Sequence, residues 1–219
     1  MTTFLGEGGS ALYLAASVED ARELASRLGL LTMGEQSGKP IPGFDFDNSP
    51  LQLLSAKSRL KGRSGAHVTS NGTKLIHLLQ ERGGEILAGS FLNLSACAEE
   101  AIAISKANGS NGITIACAGR AGSPILDDTH CAGAYVRRLR ELLPDAKLEE
   151  GAMLALAVND GLPVERALRE SHSGHIVAGL GLEEEVAFCA RLDLYSCVPQ
   201  ARKEGELLAV KRRAAPSRG

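Results

Sequence analysis

The chain has 219 residues and a net charge of -2, with 44% hydrophobic and 23% charged residues. Those totals suit a globular protein of one large or two small domains, and they exclude a general affinity for nucleic acid or an acidic membrane. Five cysteines without a Cys-x-x-Cys spacing argue against a disulfide framework or a zinc site. With no secretory signal and no apolar run of membrane-spanning length, a cytoplasmic location is expected.

Met1 to Ser10 begins abruptly and is too short to sustain a helix of its own. Ala11 to Ala15 reads as a strand. Ser17-Val18-Glu19-Asp20 has the pattern of a helix start, continued by Ala21, Leu24, Ala25 and Leu28 and ended by Gly29. Leu30 to Met33 is a second strand, so the order strand, helix, strand points to an α/β protein. Glu35 follows that strand directly, where α/β sheets place ligand-binding groups; a solvated loop carboxylate is the alternative. Asp45, Asp47 and Asn48 could join a magnesium site or hydrogen-bond their own turn. Ser49-Pro50 starts a helix, with Ser49 as N-cap and Pro50 at the first helical position.

The centre of the sequence is Ala66-His67-Val68-Thr69-Ser70-Asn71-Gly72-Thr73, followed by Leu75, Leu78 and Leu79 at helical spacing. A strand that passes through such a small, polar turn into a helix aims free backbone N–H groups and the positive end of the helix dipole at one point. Phosphate or carboxylate fits there, with Ser70, Asn71, Gly72 and Thr73 as the cradle. An ordinary turn capped by Ser70 or Asn71 is the alternative. Further on, Glu85 to Ser90 reads as a strand, Asn93 to about Ala107 as a helix, and Gly112 to Cys117 as a buried strand. No Gly-x-Gly-x-x-Gly and no P-loop pattern is present, which disfavours ordinary dinucleotide and nucleotide binding. Arg120 is placed to hold an anion in a fork of donors. Asp127 and Asp128 enter a helix, where they suit either its dipole or a hard cation such as magnesium. Cys117 and Cys131 read as small buried residues. Helices are expected over 128–143, 149–158 and 163–171, and His172 and His175 could line the site but, without a nearby fixed carboxylate, read rather as capping or surface groups. Closing strands are expected over Asp193–Val198 and Gly205–Val210, ahead of a loose basic tail at 211–219.

Six motifs occur in order: Gly34-Glu35, Gly43-Phe-Asp-Phe-Asp-Asn-Ser-Pro50, Thr69-Ser-Asn-Gly-Thr73, Cys117-Ala-Gly-Arg120, Leu126-Asp-Asp128 with Cys131-Ala-Gly133, and Glu185 to Asp193. Together they resemble the 2-phosphosulfolactate phosphatase family, known as ComB, from near residue 1 to about Pro199. The resemblance implies a three-layer α/β/α fold with a mixed, largely parallel sheet. It also implies a magnesium-dependent phosphomonoesterase that releases phosphate from (R)-2-phospho-3-sulfolactate. Residues 1–200 would form that domain, with a break between two similar halves allowed near 110–145, and 201–219 a terminal strand and tail. The family opens with a strand and an Asp-x-x-Arg-Ala-Ser/Thr-Thr pattern of which Met1-Thr2-Thr3 matches only the tail, so either the start lies upstream or part of the site is lost. Asp127 stands where the family more often has glutamate.

Joined, the residues and the resemblance assign Glu35, Asp127 and Asp128 to magnesium, Ser70 to Thr73 and Arg120 to phosphate or sulfonate, and Asp45, Asn48 and Asp128 to the chemistry. Two other readings stand beside this: an inactive anion-binding protein, and a phosphatase of another small phosphorylated acid. The substrate is a small anion, and an α/β enzyme of this size is often a homodimer.

Overall fold

The structure, a computed structural model, describes residues 1–110 and 112–214. The chain divides into two compact units, Met1–Gly89 with the returning segment from Cys197, and Ser90–Ser196. Of the expected basic tail, residues 215–219 lie outside the described residues.

The first unit carries helices α1 (Thr2–Gly6), α2 (Val18–Leu28), α3 (Pro50–Ser55), α4 (Lys57–Leu60) and α5 (Gly72–Arg82). Its strands are β1 (Ala11–Leu14), β2 (Leu31–Gln36), β3 (Lys39–Pro40), β4 (Ser64–Val68), β5 (Ile86–Leu87), β6 (Pro199–Glu204) and β7 (Leu207–Arg212). They make one mixed sheet in the order β3-β2-β4-β1-β7-β6-β5. Parallel pairing is confined to β2, β4 and β1, and the other neighbours are antiparallel. Helix starts follow their signals: Ser17 accepts from Asp20 N at 3.0 Å, and Ser49 from Gln52 N at 2.9 Å. Gly29 closes α2 in the left-handed conformation, as expected of a C-terminal glycine. Ala21, Leu24 and Ala25 of α2 then bury against Ala66 and Val68 of β4.

Three expectations are corrected. The opening segment does form a helix, because Phe4 and Leu5 are fully buried and tertiary packing supplies what a five-residue helix lacks. Gly9 lies so close over the Phe4 ring that a Cβ there would stand 2.2 Å from it. The expected strand at Asp193–Val198 begins later, at Pro199, because Asp193 is spent on a helix end: its carboxylate accepts from Ser95 N and Ser95 Oγ, both at 2.7 Å. The expected buried strand at Gly112–Cys117 is not part of the sheet, and Thr114, Ala116 and Cys117 are exposed.

The second unit is helical among its described residues: a short turn at Phe91–Asn93, then α6 (Leu94–Ala107), α7 (Leu126–Leu142), α8 (Glu150–Gly161), α9 (Val164–Glu170), α10 (His172–Gly179) and α11 (Glu183–Cys189). α7 and α8 pack at close range, since a Cβ on Gly133 would meet Ala155 O at 2.0 Å. Buried His130 ties the pair. Its Nδ1 lies 3.2 Å from Asn159 Nδ2 and its Nε2 2.9 Å from Leu162 O, which places the ring proton on Nε2. His172 and His175 sit in the first turn of α10 behind the N-cap Ser171, and Ser171 O lies 2.9 Å from His175 Nδ1.

In the first unit, β4 carries a histidine into the core. His67 is fully buried, and burial pushes its pKa down to about 3. The unfolded chain takes up that proton near pH 6.5. Stability from neutral His67 is therefore complete above pH 6.5 and is lost as pH falls toward 3, by about 1.4 kcal/mol per pH unit. Urea unfolding between pH 7 and pH 4 should show this slope, and His67→Leu should flatten it; an equal slope in both proteins would contradict it.

Candidate functional site

Two clusters gather most of the residues singled out from the sequence, one in each unit. The first is built where β2 and β4 end side by side. Their parallel register puts Gly34 opposite Val68, and the approach is tight enough that a Cβ on Gly34, whose φ is 143°, would stand 1.9 Å from Val68 O. Only glycine fits at such a contact. It brings Glu35, one residue later, onto the turn that leads from β4 into α5.

The Glu35 carboxylate organises that turn. Oε1 accepts from Ser70 N at 2.6 Å, and Oε2 accepts from Ser70 Oγ at 2.9 Å and Gly38 N at 2.6 Å. Ser70 Oγ in turn accepts from Ser37 N at 2.8 Å. Thr73 is buried and turned inward, its Oγ1 donating to Thr69 O at 3.1 Å while its N–H donates to Thr69 Oγ1 at 3.0 Å. Ser70 and Thr73, read from the sequence as phosphate contacts, thus shape the turn. What they leave open is the start of α5. Asn71 is the N-cap but makes no side-chain cap, and the N–H groups of Asn71, Gly72 and Lys74 make no hydrogen bond to a described residue. Unspent donors at the positive end of an eleven-residue helix suit an anion. The Lys74 amide was missed in the sequence; its third-residue position in the helix was the available signal.

Asp45 has a local task. Its carboxylate accepts from Thr32 N at 2.9 Å and Thr32 Oγ1 at 3.0 Å, and pairs with Arg59 at 3.2 Å, which holds the 44–46 segment along β2. Asn48 is exposed.

The second cluster stands at the start of α7. Asp127 and Asp128 lie in its first turn. Asp128 Oδ2 accepts from Gly119 N at 2.7 Å, which draws the preceding loop onto the helix end. Gly119 has φ 62° and a Cβ there would stand 2.7 Å from Ser123 O, so the loop can take this path only with glycine. Arg120 and Ser123 exchange backbone hydrogen bonds of 2.9 Å across a tight turn with positive φ at Ala121 and Gly122, the geometry of a type I′ turn. The Arg120 guanidinium is exposed and has no ion pair among the described residues.

Burial raises the Asp128 carboxyl above its usual range, and the Asp127 charge adds to the rise against two backbone donors that lower it. Asp127 Oδ1 is buried with no hydrogen-bond partner among the described residues, and an orphaned carboxylate oxygen of this kind suits an oxygen-seeking cation. Among the described residues no three His, Cys, Asp or Glu side chains converge as a metal centre, so the chain offers a carboxylate pair. Cys117 is exposed, against the sequence expectation of a buried residue, because its segment is outside the sheet. Partial burial and then the Asp128 and Asp127 charges raise its thiol, which keeps it protonated and a poor nucleophile.

A family model described as 2-phosphosulpholactate phosphatase matches residues 1–204. A protein of Thermus thermophilus named a probable 2-phosphosulfolactate phosphatase is 34% identical over 211 residues, covering 95% of this chain and 86% of that protein. One of Thermotoga petrophila with the same name is 33% identical over 201 residues, covering 91% and 82%. A Methanothermobacter thermautotrophicus protein named 2-phosphosulfolactate phosphatase is 32% identical over 188 residues, covering 85% and 75%.

Glu35→Gln should loosen the turn before α5, because an amide presents one oxygen where the carboxylate presents two to three donors. A loss of about 1–2 kcal/mol is expected, with faster amide hydrogen exchange across Ser70–Thr73. Exchange unchanged in the variant would show that Glu35 does not hold the turn.

Proposed function

The chain belongs to the 2-phosphosulfolactate phosphatase family, and we propose that it hydrolyses (R)-2-phospho-3-sulfolactate to 3-sulfolactate and phosphate. The observation that carries this reading is the start of α5, where the Asn71, Gly72 and Lys74 N–H groups are unspent at the end of an elsewhere satisfied turn. The phosphoryl oxygens bind there. Phosphoryl transfer asks a protein mainly for positioning and for charge stabilisation, and donors fixed in advance by Glu35 and Thr73 need no rearrangement as charge develops. In the reaction the oxygen of water bonds to phosphorus, the ester P–O bond breaks, and the leaving alkoxide takes up a proton.

Asp127 and Asp128 would hold magnesium, a cation that takes carboxylate oxygens and keeps positions for phosphate and water. When bound, that ion would supply charge neutralisation to a phosphoryl group. The support is the buried Asp127 Oδ1 without a donor among the described residues; Glu35, with both oxygens hydrogen-bonded, serves by positioning Ser70. Arg120, an exposed cation without an ion pair among the described residues, is assigned in this reading to the second anion, the sulfonate. The work of the chain is cytoplasmic in this reading, and no helix is long and apolar enough to cross a membrane among the described residues.

Phosphate release from 2-phospho-3-sulfolactate and from 2-phospholactate, which has hydrogen in place of the sulfonate, tests the assignment. The intact chain should release phosphate from the sulfonated ester with a KM at least about tenfold lower, the worth of one charge-assisted hydrogen bond. Arg120→Ala should raise KM for that ester and leave the other unchanged. Release from neither ester, or a variant that weakens both alike, would overturn the proposal.

A further inference from the structure

Ile113 to Cys117 has the residue pattern of a β-strand and lies in no strand of the structure. None of its backbone groups hydrogen-bonds to a described residue, although both ends are tied: Ser110 Oγ donates to Gly112 O at 3.0 Å, and Gly119 N donates to Asp128. Exposure alternates along it, with Ile113 and Ile115 half-buried and Thr114 and Ala116 exposed. From Gly112 to Gly119 there is no charge and no proline, the devices by which proteins keep a free strand edge from pairing. The unit that carries it also holds six of the eight large hydrophobic side chains that stand exposed among the described residues, Leu154 at 68% and Leu192 at 56% foremost.

We propose that this segment is an interface strand that pairs antiparallel with the same segment of a second copy of the chain, centred on Thr114. The occupant follows from the sequence of the strand. Gly112-Ile113-Thr114-Ile115-Ala116 reads small, Ile, Thr, Ile, small in both directions. An antiparallel copy therefore sets Ile113 against Ile115, Thr114 against Thr114, and Gly112 against Ala116. Isoleucine pairs and threonine pairs are favourable cross-strand neighbours, and no like charges oppose each other. A two-fold axis through Thr114 makes the contact isologous and closed, so it yields a dimer and not a fibre. The two strands exchange the hydrogen bonds that each does not make to the described residues of its own chain.

Sedimentation of the intact chain across the micromolar range tests this, together with cross-linking of Thr114→Cys in a Cys117→Ser background. Directly opposed residues have Cα atoms about 4.5–5.5 Å apart, within reach of a disulfide. A dimer is expected, with Thr114→Cys giving a reducible dimer band on mild oxidation. Ile113→Cys alone should give much less, and Ile113→Cys mixed with Ile115→Cys should restore it. Thr114 is exposed, so Thr114→Lys should keep the fold by circular dichroism while weakening association at least tenfold. A monomer at every concentration would overturn the proposal, as would a dimer that survives Thr114→Lys and fails to cross-link at Thr114.

Discussion

The hydrogen bonds from Ser70 and Gly38 to the Glu35 carboxylate are the contact on which the first cluster depends. Two parallel strands, β2 and β4, reach their ends together only because Gly34 lets the backbones close to a distance that no side chain would permit. Glu35 then meets the turn into α5 and takes up the Ser70 donors. Without that carboxylate the Ser70 N–H and hydroxyl would compete for whatever anion arrived. With it, an arriving anion would meet the N–H groups of Asn71, Gly72 and Lys74, which stand at the helix end and share its dipole. A negative side chain so near an anion site is tolerable because its charge is already answered by three donors.

The same device recurs through the chain. Asp45 holds Thr32 N, Asp128 holds Gly119 N, and Asp193 holds Ser95 N at the start of α6. In each case a carboxylate ties a loop to its neighbour by accepting from a backbone N–H, a bond stronger than its neutral counterpart. Against that pattern Asp127 stands apart, as the carboxylate with a buried oxygen that no described residue satisfies. An acidic side chain that does not brace a loop, beside one that does, is the arrangement expected of a cation ligand with a neighbour that positions it.

Much of this was legible in the residues. The caps at Ser17 and Ser49 and the strand–turn–helix at 66–79 are local signals, and local signals survive folding. The α/β class followed from the order of those elements. What the sequence could not tell was how polar side chains would be spent. Ser70 and Thr73 carry the hydroxyls that a phosphate cradle wants, and the structure uses them to build the turn, because their partners Glu35 and Thr69 are set by tertiary register and by a backbone path. Asp45 and Asp193 were similarly diverted to Thr32 and Ser95, the latter across 98 residues of chain. The strand at 112–117 failed for a related reason: its residues state a preference for pairing, and no described residue of the chain pairs with them. The opening helix failed the opposite way, formed by burial of Phe4 and Leu5 where length alone forbids it.

The most direct test of the account is the metal dependence of phosphate release, since the orphaned oxygen of Asp127 joins the structure to the chemistry. Release from 2-phospho-3-sulfolactate should stop when EDTA is added to the intact chain and return with excess magnesium, and Asp127→Asn should need far more magnesium for the same rate. Release that persists in EDTA, or an Asp127→Asn variant with an unaltered magnesium response, would contradict it.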